Sequence, residues 1–293
     1  MSRNLTVAAL QTSHDWDREA TVARVLALAH EAADRGARLV LPSELFETPY
    51  FCKTANPRYR ELALPAANHP TIRLFQTFAR ERQVVVPVSF YERAEDGLYN
   101  SLAVIDADGA VLGIYRKCHI PQFPGYRENA FFSPSREGPK VWNTRYLRLG
   151  TGICWDQWFP EMARMMTLMG AELIVYPTAI GSEPTDPAWD SRDQWQAVMR
   201  GHAAANLVPV LAANRTGRET DDGVELEFYG SSFLCDHHAA MITAAPREGE
   251  VALVGMVDLE RGAKARDFWG TFQTRRPELY GPLVQSPAGP PPA

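Results

Sequence analysis

The chain has 293 residues, of which 45% are hydrophobic and 22% are charged, and its formal net charge is −5 at pH 7. This length and composition predict one large core, or at most two domains. Mild acidity without runs of lysine or arginine excludes non-specific nucleic-acid binding, and the apolar stretches are too short to cross a membrane.

The cysteines and the first residues indicate the cellular setting. The cysteines are Cys52, Cys118, Cys154 and Cys235, and they have no short paired spacings. The chain starts without a charged and apolar leader segment. We therefore expect reduced thiols, no disulfide, no zinc site and a cytoplasmic location.

Short apolar strands alternate with amphipathic helices in the first half of the chain. We predict strands over residues 5–10, 39–41, 84–90, 98–105 and 111–115. A helix capped by Asp17 should end near Gly36, and a second helix should span residues 70–82. The turn at residues 106–109 predicts a hairpin between the last two strands.

The second half continues this alternation. We predict strands over residues 147–154, 173–176, 208–212, 231–234 and 251–257. Helices are predicted from Pro160 to Gly170 and over residues 189–206. Such units followed by hairpins predict an α/β fold in which two sheets pack together beneath helices. Residues 1–280 are predicted to form one domain, and the proline-rich tail 281–293 is predicted to be disordered or to lie at an interface.

Cys154 is a candidate nucleophile because it ends an apolar strand just before a helix start. Backbone N–H groups and the positive end of a helix dipole at such a corner favour a thiolate over a thiol. The alternative is that Cys154 is a small buried hydrophobic residue, which is the commoner role of a free cysteine.

Two more candidates lie at strand ends. Glu44 follows the strand 39–41 in an apolar neighbourhood, and Lys117 follows the strand 111–115. Taken alone, each has a simpler interpretation: Glu44 as a salt-bridged loop acid, and Lys117 as a surface lysine. Together with Cys154, they resemble the Glu-Lys-Cys triad of the nitrilase superfamily, the carbon-nitrogen hydrolases.

The resemblance covers nearly the whole chain, from the first strand to about Tyr280. Within the superfamily, the chain is similar to the N-carbamoylputrescine amidases. The segments that carry this similarity are residues 115–121, 124–128, 152–161, 176–184 and 201–206.

The resemblance implies a four-layer α-β-β-α sandwich and a homo-oligomer. It also implies a hydrolase that needs no metal and no organic cofactor. The implied reaction cleaves a small ureido compound, N-carbamoylputrescine, to putrescine, carbon dioxide and ammonia. This reaction belongs to polyamine synthesis from agmatine.

The chemistry assigns a role to each candidate. Cys154 attacks the ureido carbonyl, and Glu44 takes its proton, protonates the departing nitrogen and later activates water. Lys117 and the backbone N–H of Trp155 stabilise the oxyanion, and a carbamoyl thioester forms on the cysteine. Glu128 matches a second carboxylate of the family that orients the lysine and the base; its simpler interpretation is a solvated loop glutamate.

A substrate that ends in an ammonium group needs a carboxylate at some distance from the thiol and apolar walls between them. Glu183 matches the amine-binding segment of the amidases, although a capping or loop acid is the simpler interpretation. The predicted walls are Trp155, Trp158, Tyr50 and Phe51.

Two alternatives stay open. The first is a hydrolase of N-carbamoyl amino acids or of another small amide in the same superfamily. An amino-acid substrate needs an arginine for its carboxylate, and the sequence offers Arg192, Arg200 and Arg215. A catalytically inactive binding module on the same scaffold would have no reason to keep the complete triad. Cys118 and residues 122–123 depart from the amidase pattern, so the loop over the site is expected to differ in shape.

Overall fold

The computed structural model describes residues 3–186 and 188–285. In these residues the strands are β1 (Asn4–Gln11), β2 (Leu39–Leu41), β3 (Val86–Ala94), β4 (Gly97–Ile105), β5 (Val111–Arg116), β6 (Lys140–Asn143), β7 (Arg148–Thr151), β8 (Leu173–Thr178), β9 (Val210–Asn214), β10 (Thr216–Asp221), β11 (Val224–Tyr229), β12 (Phe233–Cys235), β13 (Met241–Ala244) and β14 (Val251–Asp258). The helices are α1 (Arg18–Asp34), α2 (Pro70–Arg82), α3 (Pro160–Leu168), α4 (Arg192–Asn206) and α5 (Leu259–Trp269).

The first sheet has the strand order β14-β1-β2-β3-β4-β5. It consists of two three-stranded ladders, which a parallel bridge between Leu39 and Val85 joins at the β2 edge. β1 lies at the centre of its ladder, antiparallel to β14 and parallel to β2. The second sheet is six-stranded, in the order β13-β12-β9-β8-β7-β6, with β7, β8 and β9 parallel. Parallel strands place their carboxyl ends on the same edge, and the loops that follow those ends carry the site.

Alternating side chains divide the apolar residues of each sheet between two faces. In β1, Val7 and Ala9 point into a core between the two sheets, where Leu149 and Leu173 of the second sheet meet them. Ala8, by contrast, points toward α1 and α2. The strands therefore bury both faces, as a layered α/β protein requires.

The outer face of the second sheet is covered by α3 and α4. Met166 of α3 and Trp195 and Met199 of α4 pack on Ile174 and Tyr176 of β8. Helices thus lie on both outer faces of the two packed sheets, which confirms the predicted four-layer α-β-β-α sandwich.

Most predicted helix ends agree with the structure. Asp17 caps α1 by accepting a hydrogen bond from the amide of Ala20 at 3.0 Å. The helix α2 has the predicted bounds. It begins at Pro70, which fits the first helical turn, and it ends at Arg82.

Other elements differ from the prediction. The strand predicted over residues 147–154 ends at Thr151, and Cys154 instead begins a 3₁₀ turn, Cys154–Trp158. The hairpin of β10 and β11 and the helix α5 were not predicted. β10 has the sequence Thr-Gly-Arg-Glu-Thr-Asp, whose polar side chains give no strand signal.

The predicted tail is only partly described. Residues Gly281–Val284 form a 3₁₀ turn, and residues 286–293 lie outside the described residues. Within the described ranges, every helix is too short or too polar to span a lipid bilayer.

Candidate active site

Loops after strands of both sheets bring the candidate residues together. Glu44 follows β2 and Lys117 follows β5 in the first sheet, whereas Cys154 follows β7 and Glu183 follows β8 in the second. A backbone hydrogen bond from Glu44 N to the carbonyl oxygen of Thr178, at 3.4 Å, links the two sets of loops directly. The site therefore lies where the carboxyl ends of β2 and β5 in the first sheet meet those of β7 and β8 in the second.

Lys117 lies between two carboxylates. Its ammonium donates to Oε1 of Glu44 at 2.8 Å, and to Oε1 and Oε2 of Glu128 at 2.9 and 2.7 Å. All three residues are fully buried. A buried ammonium needs such partners, because taking an unpaired charge out of water is very unfavourable.

Two neutral side chains hold the carboxylates in place. Asn100 of β4 donates to Oε1 of Glu44 at 2.7 Å, and the Tyr50 hydroxyl donates to Oε1 of Glu128 at 2.8 Å. The second oxygen of Glu44, Oε2, is buried and has no hydrogen-bond partner. Glu44 thus keeps one free oxygen with which it can accept a proton.

Burial and the neighbouring charges set the protonation of this group. Burial lowers the pKa of Lys117, but the carboxylates of Glu128 and Glu44 outweigh it and hold the pKa well above its usual value. The lysine is therefore an ammonium. Burial raises the pKa of Glu128 to about 7, against the opposing effect of Lys117.

Cys154 occupies a sharp corner between β7 and α3. Its backbone has φ of 40°, in the left-handed region, and its Sγ lies 3.9 Å from the carbonyl oxygen of Ala179. Few non-glycine residues adopt this conformation, and where they do the surrounding structure must hold them there.

The structure contradicts the expectation that this corner favours a thiolate. α3 begins only at Pro160, and the segment between is a short 3₁₀ turn with little dipole to offer. Burial raises the pKa of Cys154 well above its usual value, and the carboxylate of Glu44 raises it further. Cys154 is therefore a thiol at rest and needs a base before it can attack.

Asp156 joins the turn Cys154–Trp158 to the segment around Lys117 by hydrogen bonds. This role was not predicted. Its Oδ2 accepts from the Tyr115 hydroxyl at 2.6 Å and from the Ile153 amide at 3.0 Å. Its Oδ1 accepts from the His119 amide at 3.0 Å and lies 2.8 Å from Nδ1 of the same residue. Tyr115 and His119 flank Lys117, and Ile153 precedes Cys154. The hydrogen bonds of Asp156 therefore hold the segments that carry the thiol and the ammonium next to each other.

A cavity of about 530 Å³ opens beside Cys154. Its walls are mainly aromatic and apolar: Phe123, Tyr126, Trp155, Trp158, Ile180 and Trp189. Glu128 and Glu183 are the charged side chains that line it in the described part of the chain. Glu183 is half-buried, and burial raises the pKa of its carboxyl group. A cavity of this kind fits a slender apolar ligand with a cationic end.

Tyr126 connects the two acidic sides of the cavity. Its hydroxyl accepts from the Gly181 amide at 2.9 Å and donates to the Ser182 carbonyl at 3.2 Å. The loop that carries Glu128 is thereby fastened to the segment that carries Glu183.

Family comparison agrees with this geometry. Residues 6–267 match the model of the family described as carbon-nitrogen hydrolase. The chain belongs to the carbon-nitrogen hydrolase family.

Several known proteins are similar to this carbon-nitrogen hydrolase over nearly its whole length. N-carbamoylputrescine amidase from Solanum tuberosum is 48% identical over 287 residues, which is 97% of this chain and 96% of the relative. A protein named citrullinase from Francisella tularensis subsp. tularensis is 46% identical over 282 residues, 96% of this chain and 99% of the relative. A carbon-nitrogen hydrolase from Helicobacter pylori G27 has a solved structure that superposes with a TM-score of 0.90 at 34% identity, over 97% of this chain and 99% of that one.

These comparisons confirm the predicted resemblance to the nitrilase superfamily and to the N-carbamoylputrescine amidases. The carbon-nitrogen hydrolase is an enzyme that acts on carbon-nitrogen bonds other than peptide bonds. In the described residues, no cluster of three histidine, cysteine, aspartate or glutamate side chains could hold a metal ion.

The predicted substrate contacts divide into two groups. Trp155, Trp158 and Glu183 line the cavity, as expected. Tyr50 does not: it is fully buried, and its hydroxyl binds Glu128 instead of facing the cavity. Phe51 stacks on Tyr91 away from the site. The role of the Trp155 backbone N–H toward an oxyanion stays a prediction.

The three arginines considered as partners of a substrate carboxylate do not line the cavity. Arg192 pairs with Asp193, and Arg200 donates to a backbone carbonyl at the protein surface. Arg215 is fully buried and donates to main-chain carbonyls, so none of the three lines the cavity. Cys118 is half-buried, its Sγ lies 3.4 Å from the Tyr115 hydroxyl oxygen, and it too lies outside the cavity lining.

Proposed function

We propose that this carbon-nitrogen hydrolase cleaves N-carbamoylputrescine to putrescine, carbon dioxide and ammonia, with Cys154 as nucleophile. The observation that carries the proposal is the charge of the cavity. Beside the thiol lie apolar walls and the half-buried carboxylate of Glu183, and no lysine or arginine lines the described part of the cavity. An alkyl chain ending in an ammonium matches both features.

The reaction begins with a proton transfer. Oε2 of Glu44, which has no other partner, takes the proton of the Cys154 thiol while Sγ attacks the ureido carbon. The carbonyl oxygen gains a negative charge, which the Lys117 ammonium and the Trp155 N–H stabilise. Glu44 and Glu128 already hold the ammonium in position before this charge develops.

The second half of the reaction uses the same groups in reverse. Protonated Glu44 gives its proton to the nitrogen that leaves, and the carbonyl group remains as a thioester on Cys154. Glu44 then takes a proton from a water molecule, which attacks the thioester carbon; as the C–S bond breaks, Glu44 gives this proton to the sulfur and the Cys154 thiol is restored. The carbamic acid formed in this step decomposes to carbon dioxide and an amine or ammonia.

The relative named citrullinase supports a second candidate substrate. Citrulline carries the same ureido group on a three-carbon chain, but its end bears a carboxylate as well as an ammonium. Among the described residues of the lining, the side-chain donors that this carboxylate meets are all neutral, and they include Thr185, Ser191 and Gln194. We therefore place N-carbamoylputrescine first, since an anion without a cationic partner binds poorly.

The test compares three ureido substrates: N-carbamoylputrescine, citrulline and N-carbamoyl-β-alanine. Ammonia release is measured for the wild type, for Cys154→Ala and for the matched control Cys118→Ser. We expect turnover of N-carbamoylputrescine that is lost in Cys154→Ala and retained in Cys118→Ser. Preference for citrulline would replace the proposed substrate, and activity in Cys154→Ala would refute the nucleophile.

We also propose that the enzyme is a homo-oligomer. Large apolar side chains are exposed near the end of the described chain, among them Phe268 at 87%, Trp269 at 70% and Val284 at 88%. Exposed apolar groups of this size favour contact with another protein surface. Light scattering coupled to gel filtration measures the mass, and a monomer at micromolar concentration would contradict the proposal.

A further inference from the structure

A second cluster of buried charges lies next to the site but outside the cavity lining. Arg215, Glu219 and Lys53 are all buried, and none of them lines the cavity. Glu219 accepts from Arg215 through Oε1 at 2.8 Å and from Lys53 through Oε2 at 3.1 Å. The proposed chemistry uses none of these groups, although burying them is unfavourable unless each is paired.

Arg215 directs its second terminal nitrogen at the backbone around Glu44. Its Nη2 donates to the carbonyl of Glu44 at 2.8 Å and to that of Leu45 at 3.1 Å. Leu45 has φ of 46°, so the chain takes an unfavourable left-handed turn directly after the proposed base. The guanidinium therefore holds the main chain at a point where it would otherwise relax.

Glu219 holds the other end of the same loop. Its Oε2 accepts from the backbone amide of Tyr50 at 2.6 Å. The hydroxyl of Tyr50 in turn donates to Glu128, the second carboxylate on Lys117. One ion pair thus fixes the main chain beneath Glu44 and the side chain that orients Glu128.

We propose that Arg215 and Glu219 are positioning residues that set the relative placement of Glu44 and Glu128 about Lys117. The inference rests on the proposed roles of those two carboxylates. Neither Arg215 nor Glu219 touches the cavity, so their loss misplaces the reacting groups and leaves the substrate contacts of Glu183 in place. Such a change lowers kcat and leaves KM almost unchanged.

The test compares Arg215→Lys with the matched control Lys53→Met. Lysine keeps the charge beside Glu219 but lacks the second nitrogen that reaches Glu44 and Leu45. We expect kcat to fall about 10- to 100-fold in Arg215→Lys, with KM within about twofold. Lys53→Met breaks an equally buried ion pair but keeps both backbone contacts, and its kcat should stay within about threefold of wild type.

The outcomes separate positioning from general stability. Equal losses of kcat in both variants, or a rise in KM alone in Arg215→Lys, would overturn the proposal. All variants are assayed on the substrate that the wild type turns over best, so a wrong substrate assignment shows in the wild type and leaves the comparison valid.

Two measurements decide the matter if Arg215→Lys does not fold. Glu219→Gln replaces one of the two carboxylate oxygens by an NH2 group, which cannot accept, so either the Oε1 contact with Arg215 or the Oε2 contact with the Tyr50 amide is lost. A folded Glu219→Gln with wild-type kcat would overturn the proposal. In the wild type, hydrogen exchange at the Tyr50 amide should be among the slowest of the loop 43–53, and rapid exchange there would overturn it as well.

Discussion

Replacing Glu183 by glutamine removes one negative charge from the cavity and keeps the shape of the side chain. Glu183 is half-buried beside aromatic walls, and in the described residues no cation pairs with it. If the carboxylate binds the ammonium end of the substrate, Glu183→Gln should weaken substrate binding by the free energy of that charged contact. The chemistry at Cys154 should be unaffected.

The magnitude follows from the contact that is lost. A hydrogen bond to a charged group contributes about 1.5–3 kcal/mol, and about 1.4 kcal/mol corresponds to a tenfold change in rate. The full range is therefore about 10- to 150-fold in kcat/KM. Water partly screens a half-buried carboxylate, so we expect the lower end, about tenfold.

The assay compares two substrates that differ only at the far end. N-carbamoylputrescine carries an ammonium, whereas N-butylurea ends in a methyl group. Glu183→Gln should lower kcat/KM for the first and leave the second within about twofold. The control is Asp186→Asn, an exposed acid of the same segment that does not line the cavity. Equal losses on both substrates would refute the reasoning.

The same contact predicts a dependence on pH. Burial raises the pKa of Glu183, and only its ionised form attracts an ammonium. As pH falls through this raised pKa, KM for the charged substrate should rise, while KM for N-butylurea stays constant. The difference between the two substrates should disappear in Glu183→Gln.

Three further predictions follow from the site and the helices. Alkylation of Cys154 by iodoacetamide should be slow at pH 7 and should rise steadily above pH 9, because burial raises its pKa; a rate that is already maximal at pH 7, with Cys154→Ala as the blank, would contradict this. Asp156→Asn should lower the free energy of unfolding by about 2–3 kcal/mol, since an amide cannot accept from all the donors around it; an unchanged urea midpoint would rule this out. Gly201→Ala should raise the free energy of unfolding by about 0.5–1 kcal/mol, because Gly201 lies inside α4 with no atom within 4 Å of an added Cβ; a lower melting temperature would argue against it.

Much of the layered fold could be predicted because the apolar pattern repeats in most of the strands and helices. The helix α2 and the cap at Asp17 depend on neighbouring residues in the sequence, so local signals were sufficient. Glu44, Lys117 and Cys154 were found as strand-end residues in a matching context, and the structure brings their loops together. The roles assigned to them stay predictions.

The remaining features depend on contacts between distant parts of the chain. Tyr50 was expected in the cavity wall, and only the fold shows that its ring turns inward to meet Glu128, 78 residues later. Asp156 lies within the matching segment around the thiol, which was a usable signal, but its partner Tyr115 belongs to the other sheet. Glu219 lies on a polar strand that hydrophobic patterning does not detect.

The division of the site between two sheets has a consequence for the newborn chain. During synthesis, Glu44, Lys117 and Glu128 leave the ribosome before Cys154, which emerges only after β7. Arg215, which donates a hydrogen bond to the backbone carbonyl of Glu44, emerges later still, after β9. Until the second sheet docks on the first, Cys154 of the growing polypeptide is not held beside Glu44 and Lys117. The arrangement of side chains proposed for catalysis therefore exists only once both sheets have folded.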